Sequence, residues 1–272
     1  MAFNEMPGTF GAGGPAVDTV LDRPGCRPGE MLVGEVHVLG RTVSAAIGHI
    51  ALGLVARVPA DRSRERSTME VHTVRVAGAF NLAPGERRSI PFQFKVPWQT
   101  PVTTVYGQRL RGMTMGLRTE LSVARAVGQG DLDPVSIHPL PAQERILQAF
   151  GELGFQFKNA DLRPGRVPGV EQRLPVRQEF AFYPPPNVPG VDEVEVTFVA
   201  GPHGMDVILG ADNRGGDSAG GESTDGRDAD GWLHVDYATA AGTDWAARID
   251  AWLRRAAPGS RAGFSALGGA YA

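Results

Sequence analysis

A chain of 272 residues, 42% hydrophobic and 21% charged, has the composition of a globular protein and the length for one large or two ordinary domains with cores of their own. Its formal net charge of −3 offers no cationic footprint for phosphates and excludes nucleic acid as a partner. Cys26 is the sole cysteine, so no intrachain disulfide can form, and a reducing compartment, the cytoplasm, is the expected location.

Residues 1–15 are glycine-rich and without period, and are expected to form a flexible N-terminal arm. The start lacks the basic and apolar regions of a secretory signal, and no apolar run in the chain is long enough for an integral membrane segment. From residue 16 the pattern becomes that of strands. In AVDTVLDRPGCRPGEMLVGEVHVLG, Pro28 and Gly29 suit the two central positions of a type II turn over Arg27–Glu30. Beyond it Leu32, Gly34, Val36 and Val38 share one face while Glu35 and His37 point the other way, the alternation of a half-buried strand. Ile50, Leu52, Leu54, Ala56 and Val58 follow in a run apolar enough for a central strand. The polar stretch 60–67 reads as a solvated hairpin tip, with an arginine-rich docking site as its alternative. A strand over Thr68–Val76 comes next.

At LAPGERRSIPFQFKVP the Pro-Gly-Glu turn recurs, and Ile90, Phe92, Phe94 and Val96 alternate with polar residues and Pro91. Prolines 91 and 97 cannot donate to a ladder, so this strand belongs at an edge or carries bulges. Extended segments run from about 102 to 109 and 113 to 126, with a loop expected over Gly128–Asp133. Residues 16–139 thus form the expected N-terminal β-sandwich, closed by the linker HPLP. The period then changes: in 141–153, Ile146, Leu147, Phe150 and Leu153 sit at helical spacing, with Pro141 in the first turn and Gly154 after the end.

Strand signals resume with Phe155 and Phe157, then Leu174, Val176, Phe180 and Phe182 on one face, Val194, Val196 and Phe198, and Met205, Val207 and Leu209 across the turn GPHG. Two sets of short strands in succession predict an all-β chain of two tandem β-sandwiches, the second spanning 140–240. Residues 212–231 are too polar and glycine-rich to bury anything and are expected to be a flexible loop. Leu233, Val235 and Tyr237 read as the last strand. In 243–256, Trp245, Ile249, Trp252 and Leu253 form the apolar stripe of a C-terminal helix, with Thr243 as its expected cap and Arg254 and Arg255 near its negative end. These four side chains are the candidate interaction or latch residues; the small-residue tail 257–272 follows.

Chemistry is harder to find. The six histidines include no pair at metal-ligand spacing, and GAGG at 11–14 lacks the strand and helix of a phosphate loop. Asp225, Asp228, Asp230 and Gly231 suggest a calcium loop, but the alignment puts Gly226 and Tyr237 where acidic ligands belong. No nucleophile elbow is present. The reading is therefore no catalytic residue, no cofactor and no metal site.

Taken together, VDTVLDRPGCRPGEMLVGEVHVLG, PGERRSIPFQFKVPWQTPVT, VSIHPL with ILQAFGELGFQF, and RLPVRQEFAFYP with VDEVEVTF resemble the bacterial sporulation-control family, SpoOM, over about residues 16–210. The resemblance implies an arrestin-like fold of two hinged β-sandwich domains in a cytoplasmic protein that influences sporulation. It transfers no catalytic residues. The leading expectation is a non-catalytic adaptor that binds protein partners of unidentified nature at sheet edges or a groove; the alternative is a binding module for a small molecule, glycan or lipid surface. The sequence leaves the oligomeric state open.

Overall fold

In the computed structural model, residues 8–9, 14–59, 66–123, 126–213 and 231–256 are described. The two Pro-Gly-Glu turns are built alike. Gly29 has φ +83°, the Glu30 N–H donates to the Arg27 carbonyl (3.1 Å), and the Glu30 carboxylate accepts from the Arg27 N–H (2.9 Å). At the second turn Gly85 has φ +75°, and the Glu86 carboxylate accepts from the Ala83 N–H (2.8 Å). Gly29 is also needed for space, since a Cβ there would stand 2.4 Å from the Trp98 ring.

These turns hold the first of two facing sheets. Its strands are β1 (Gly8–Thr9), β2 (Ala16–Leu21), β4 (Met31–Leu39) and β8 (Arg87–Lys95), in the order β1-β2-β4-β8. The second sheet contains β3 (Gly25–Cys26), β5 (Ala45–Pro59), β6 (Arg66–Ala77), β7 (Phe80–Leu82), β11 (Met115–Val123) and β12 (Ala126–Ile137), ordered β3-β12-β11-β5-β6 with β7 also on β5. Alternation places Leu32, Val36, Val38, Phe92 and Phe94 from one sheet against Ile50, Leu52, Leu54, Leu117 and Leu121 from the other in one core, as a sandwich requires. The hydroxyls of Thr19 on β2 and Thr119 on β11 meet at 2.6 Å inside it, so two buried polar groups satisfy each other. β8 is an edge strand, as Pro91 predicts, and β5 is central.

The expected loop over Gly128–Asp133 is instead part of β12, paired with β11 through a bulge. Ladder partners on β11 satisfy its backbone, which outweighs the low strand preference of glycine. Residues 60–65 lie outside the described residues, while Arg66 and Ser67 begin β6.

A two-stranded hairpin, β9 (Thr104–Val105) and β10 (Gln108–Arg109), leads towards the C-terminal half. Tyr106 (φ +52°) and Gly107 (φ +72°) form its tip, the left-handed pair of a type I′ turn. Next come α1 (Pro141–Glu152) and a five-stranded antiparallel sheet of β13 (Gln156–Pro164), β14 (Val176–Tyr183), β15 (Val191–Ala200), β16 (Gly204–Asn213) and β17 (Trp232–Asp236), in chain order. The chain then forms α2 (Tyr237–Ala240) and α3 (Trp245–Ala256). Tyr237 thus starts a helical turn rather than ending a strand, because Asp236 caps it by accepting from the Ala238 N–H.

The fold is all-β and arrestin-like, with two β units in tandem. In the C-terminal unit the layer opposite the sheet is made, among the described residues, by α1, α3 and Val102, Val105 and Leu110 of the hairpin region. Phe150 of α1 stacks on Phe182 of β14 with ring centroids 4.7 Å apart. The Trp245 indole N–H donates to the Ala240 carbonyl (3.0 Å). The helix cap is Asp244, whose carboxylate accepts from the Ala247 N–H (2.9 Å); the expected cap, Thr243, donates instead to the Thr239 carbonyl. A carboxylate at this position satisfies an orphan N–H and also complements the helix dipole.

Candidate functional site

The strand period that buries Leu32 and Val36 turns Met31, Val33, Glu35 and His37 outward on β4, and antiparallel register sets Val20 of β2 and Pro91 of β8 beside Glu35. On this solvent face Val20 and Met31 are each 48% exposed and Val33 37%. Polar side chains are the norm on such a face. An open groove of about 340 Å³ lies beside Val33, lined by Asp22, Val33, Gly34, Glu35, Pro91, Phe92 and Gln93. Its charged residues are both acidic. The Asp22 N–H donates to the Val33 carbonyl (3.0 Å), which fixes that wall, and the Glu35 carboxylate accepts from the Ser89 hydroxyl. Sequence parity could have revealed this strip, since Met31 and Val33 share the phase of Glu35 and His37.

A second feature is the seam between the halves, which interlocks. Leu162 of β13 is buried in the N-terminal core and Val176 of β14 packs against it, while Val102, Val105 and Leu110 enter the C-terminal core. Two glutamines clasp the seam reciprocally. The Gln178 carboxamide accepts from the Val102 N–H (2.8 Å) and donates to the Val102 carbonyl (2.7 Å). From the other side, Gln99 donates to the Glu171 carbonyl (2.9 Å) and accepts from the Arg173 N–H (2.7 Å). Each side chain thus takes the place a neighbouring strand's peptide group would hold. Arg27 adds bonds to the Pro139 carbonyl and to Glu144 on α1. Between these contacts sits a cavity of about 30 Å³ lined in part by Thr100, Gln143, Gln172 and Gln178, room for no more than one or two waters.

The four residues singled out in the C-terminal helix, Trp245, Ile249, Trp252 and Leu253, are all buried and lie together in the C-terminal core. The Cys26 thiol is pushed up to about 11 by burial and then by Glu30, so it is an inert packing group. Glu195, on the face of the C-terminal sheet turned away from the helices, is held above the usual carboxylate range, first by burial and then by Glu179, Asp212 and Glu193. Among the described residues no three His, Cys, Asp or Glu side chains group to hold a metal ion, and no helix is long and apolar enough to cross a membrane. Asp225, Asp228 and Asp230, and most of the 212–231 loop, lie outside the described residues.

The fold is that of an arrestin-like tandem of β units. A family model described as SpoOM protein matches residues 3–215. The sporulation-control protein Spo0M of Bacillus subtilis (strain 168) is 31% identical over 216 residues, spanning 78% of this chain and 81% of that protein. The crystal structure of Spo0M from Bacillus subtilis superposes with a TM-score of 0.74 at 28% identity, covering 89% of this chain and 99% of that one. The chain belongs to the SpoOM sporulation-control family. β17, α2 and α3 lie beyond the residues that the family model matches.

Proposed function

We propose that this protein is a non-catalytic adaptor of the cytoplasm that regulates sporulation by binding a protein partner on the outer face of β2, β4 and β8. The observation that carries this reading is the exposed strip of Val20, Met31 and Val33 beside the groove, because apolar side chains grouped on a solvent-facing sheet are a common mark of an interaction surface. Docking on the face is favoured over strand addition at β8, since Pro91 removes a donor from the middle of that edge. The seam cavity is too small for a glycan or a lipid, which weighs against the small-molecule alternative. The chain divides near Pro139 into two domains, and the clasps of Gln99 and Gln178 set their relative orientation. The stripe of α3 acts as an internal latch rather than a recruitment site.

The test is genetic. Val33→Asp in the chromosomal copy leaves the fold intact and reproduces the sporulation phenotype of a deletion, whereas Glu193→Ala on the C-terminal sheet behaves as wild type. A V33D strain that sporulates like the wild type refutes the reading.

A further inference from the structure

The chemistry of the groove narrows what can occupy it. Its apolar surface is supplied by Val33 and Pro91, since the Phe92 side chain turns into the core, and its rim by the carboxylates of Asp22 and Glu35 and the amide of Gln93. No cation lines it. Lys95, one row along β8, holds its ammonium 5.3 Å from the Trp98 ring centroid, where the ring quadrupole retains it. Arg23 follows Asp22 but is not part of the lining. An occupant therefore meets an apolar floor between two negative groups. That combination repels the anionic surface of a bilayer and suits a cationic polypeptide. In an extended segment, side chains two residues apart lie on the same side, about 7 Å from each other, which lets one apolar side chain enter the groove while a neighbouring base reaches a rim carboxylate.

We propose that the groove binds an extended peptide segment of a partner protein in which an aliphatic or aromatic residue has a Lys or Arg within two positions. This rests on the docking-face reading above and adds the partner's chemistry to it. Apolar contact supplies the anchor, and the carboxylates supply selectivity and speed of association. Because the rim is exposed, the pairs weaken as salt is raised.

The experiment is selection of a random phage-displayed peptide library on the full chain, followed by measurement of the enriched peptides against variants. Enriched peptides carry the apolar-plus-basic signature. Asp22→Asn and Glu35→Gln each weaken them by about two- to fivefold, the range for one exposed ion pair, and Val33→Asp weakens them by more than about tenfold, as loss of an interface anchor does. The double variant D22K/E35K shifts selection towards Asp- and Glu-bearing peptides. All four variants keep the wild-type circular dichroism spectrum, with the melting temperature lowered most in V33D, which sets a third carboxylate beside Asp22 and Glu35. Peptides that lose affinity in V33D but ignore both carboxylates overturn the proposed chemistry while leaving the docking face standing. Peptides indifferent to V33D as well, or a failure to enrich any peptide, overturn the proposal, and in that case the V33D sporulation phenotype still judges the docking face independently. Self-association of the chain that V33D abolishes would make a second copy the occupant and overturn it too.

Discussion

The two β units treat their sheet faces differently. In the C-terminal unit the inner face is roofed by α1 and α3, and the other face is approached by the 165–175 loop, where a Cβ on Gly169 would stand 3.2 Å from the Trp232 ring. In the N-terminal unit the inner faces cover each other, the outer face of the larger sheet is laced by Arg118 to Glu70 and Glu120, and the outer face of β2, β4 and β8 keeps exposed apolar side chains. Leu132, Phe157 and Tyr183 are exposed on the other sheets, so what sets the face of β2, β4 and β8 apart is the groove beside Val33 with two carboxylates at its rim. On the proposed reading the C-terminal unit supplies the rigid body and the N-terminal unit the contact.

The comparison breaks first if α3 proves dispensable. Truncation after residue 242 removes Trp245, Ile249, Trp252 and Leu253, each contributing roughly 1.5–3 kcal/mol before ordering costs. Calorimetry should show a fall in melting temperature of at least about 10 °C or loss of cooperative unfolding, whereas an equal loss on removing exposed side chains of the N-terminal face is not expected. Next in size is the seam. Gln178→Ala leaves the Val102 N–H and carbonyl without their partners and costs about 1–3 kcal/mol; hydrogen exchange at the Val102 amide should accelerate while amides inside the N-terminal core keep their protection.

Asp244→Ala should cost about 1 kcal/mol as the loss of a helix cap, and Thr243→Ala less, measured by chemical denaturation. The smallest effect concerns Glu195. Its raised ionisation means that the folded chain holds the proton more tightly than the unfolded one, so its stabilising contribution is full below the ordinary carboxylate value and is lost as pH rises through the raised one. Glu195→Gln should therefore melt slightly higher than wild type at neutral pH, and the advantage should vanish below about pH 4.

Much of this architecture is legible in local pattern because strand alternation and turn chemistry act over a few residues. Leu32 to Val38, Phe92 to Val96 and the two Pro-Gly-Glu turns encode their own geometry, and the stripes at Ile146–Phe150 and Trp245–Leu253 encode two helices. What lies beyond local pattern depends on partners distant in sequence. Residues 128–133 look like a loop until β11 is beside them. The roofing of the C-terminal sheet by helices depends on where those helices travel, and Gln99 and Gln178 acquire meaning only when residues 72 and 76 positions away meet them. The exposed strip is visible in the phase of Met31 and Val33, but outward aliphatic side chains border a groove only when Asp22 and Pro91 are set alongside by β2 and β8.

The most direct test of the central claim is site-specific photo-crosslinking in the parent organism, with the photoreactive residue placed at Val33 in one strain and at Ile208 on the C-terminal sheet in another. The account predicts a discrete crosslinked protein species from position 33, absent from position 208 and suppressed by charge reversal of Asp22 and Glu35. A species trapped at position 208 with nothing at position 33 would contradict it and move the contact surface to the C-terminal unit.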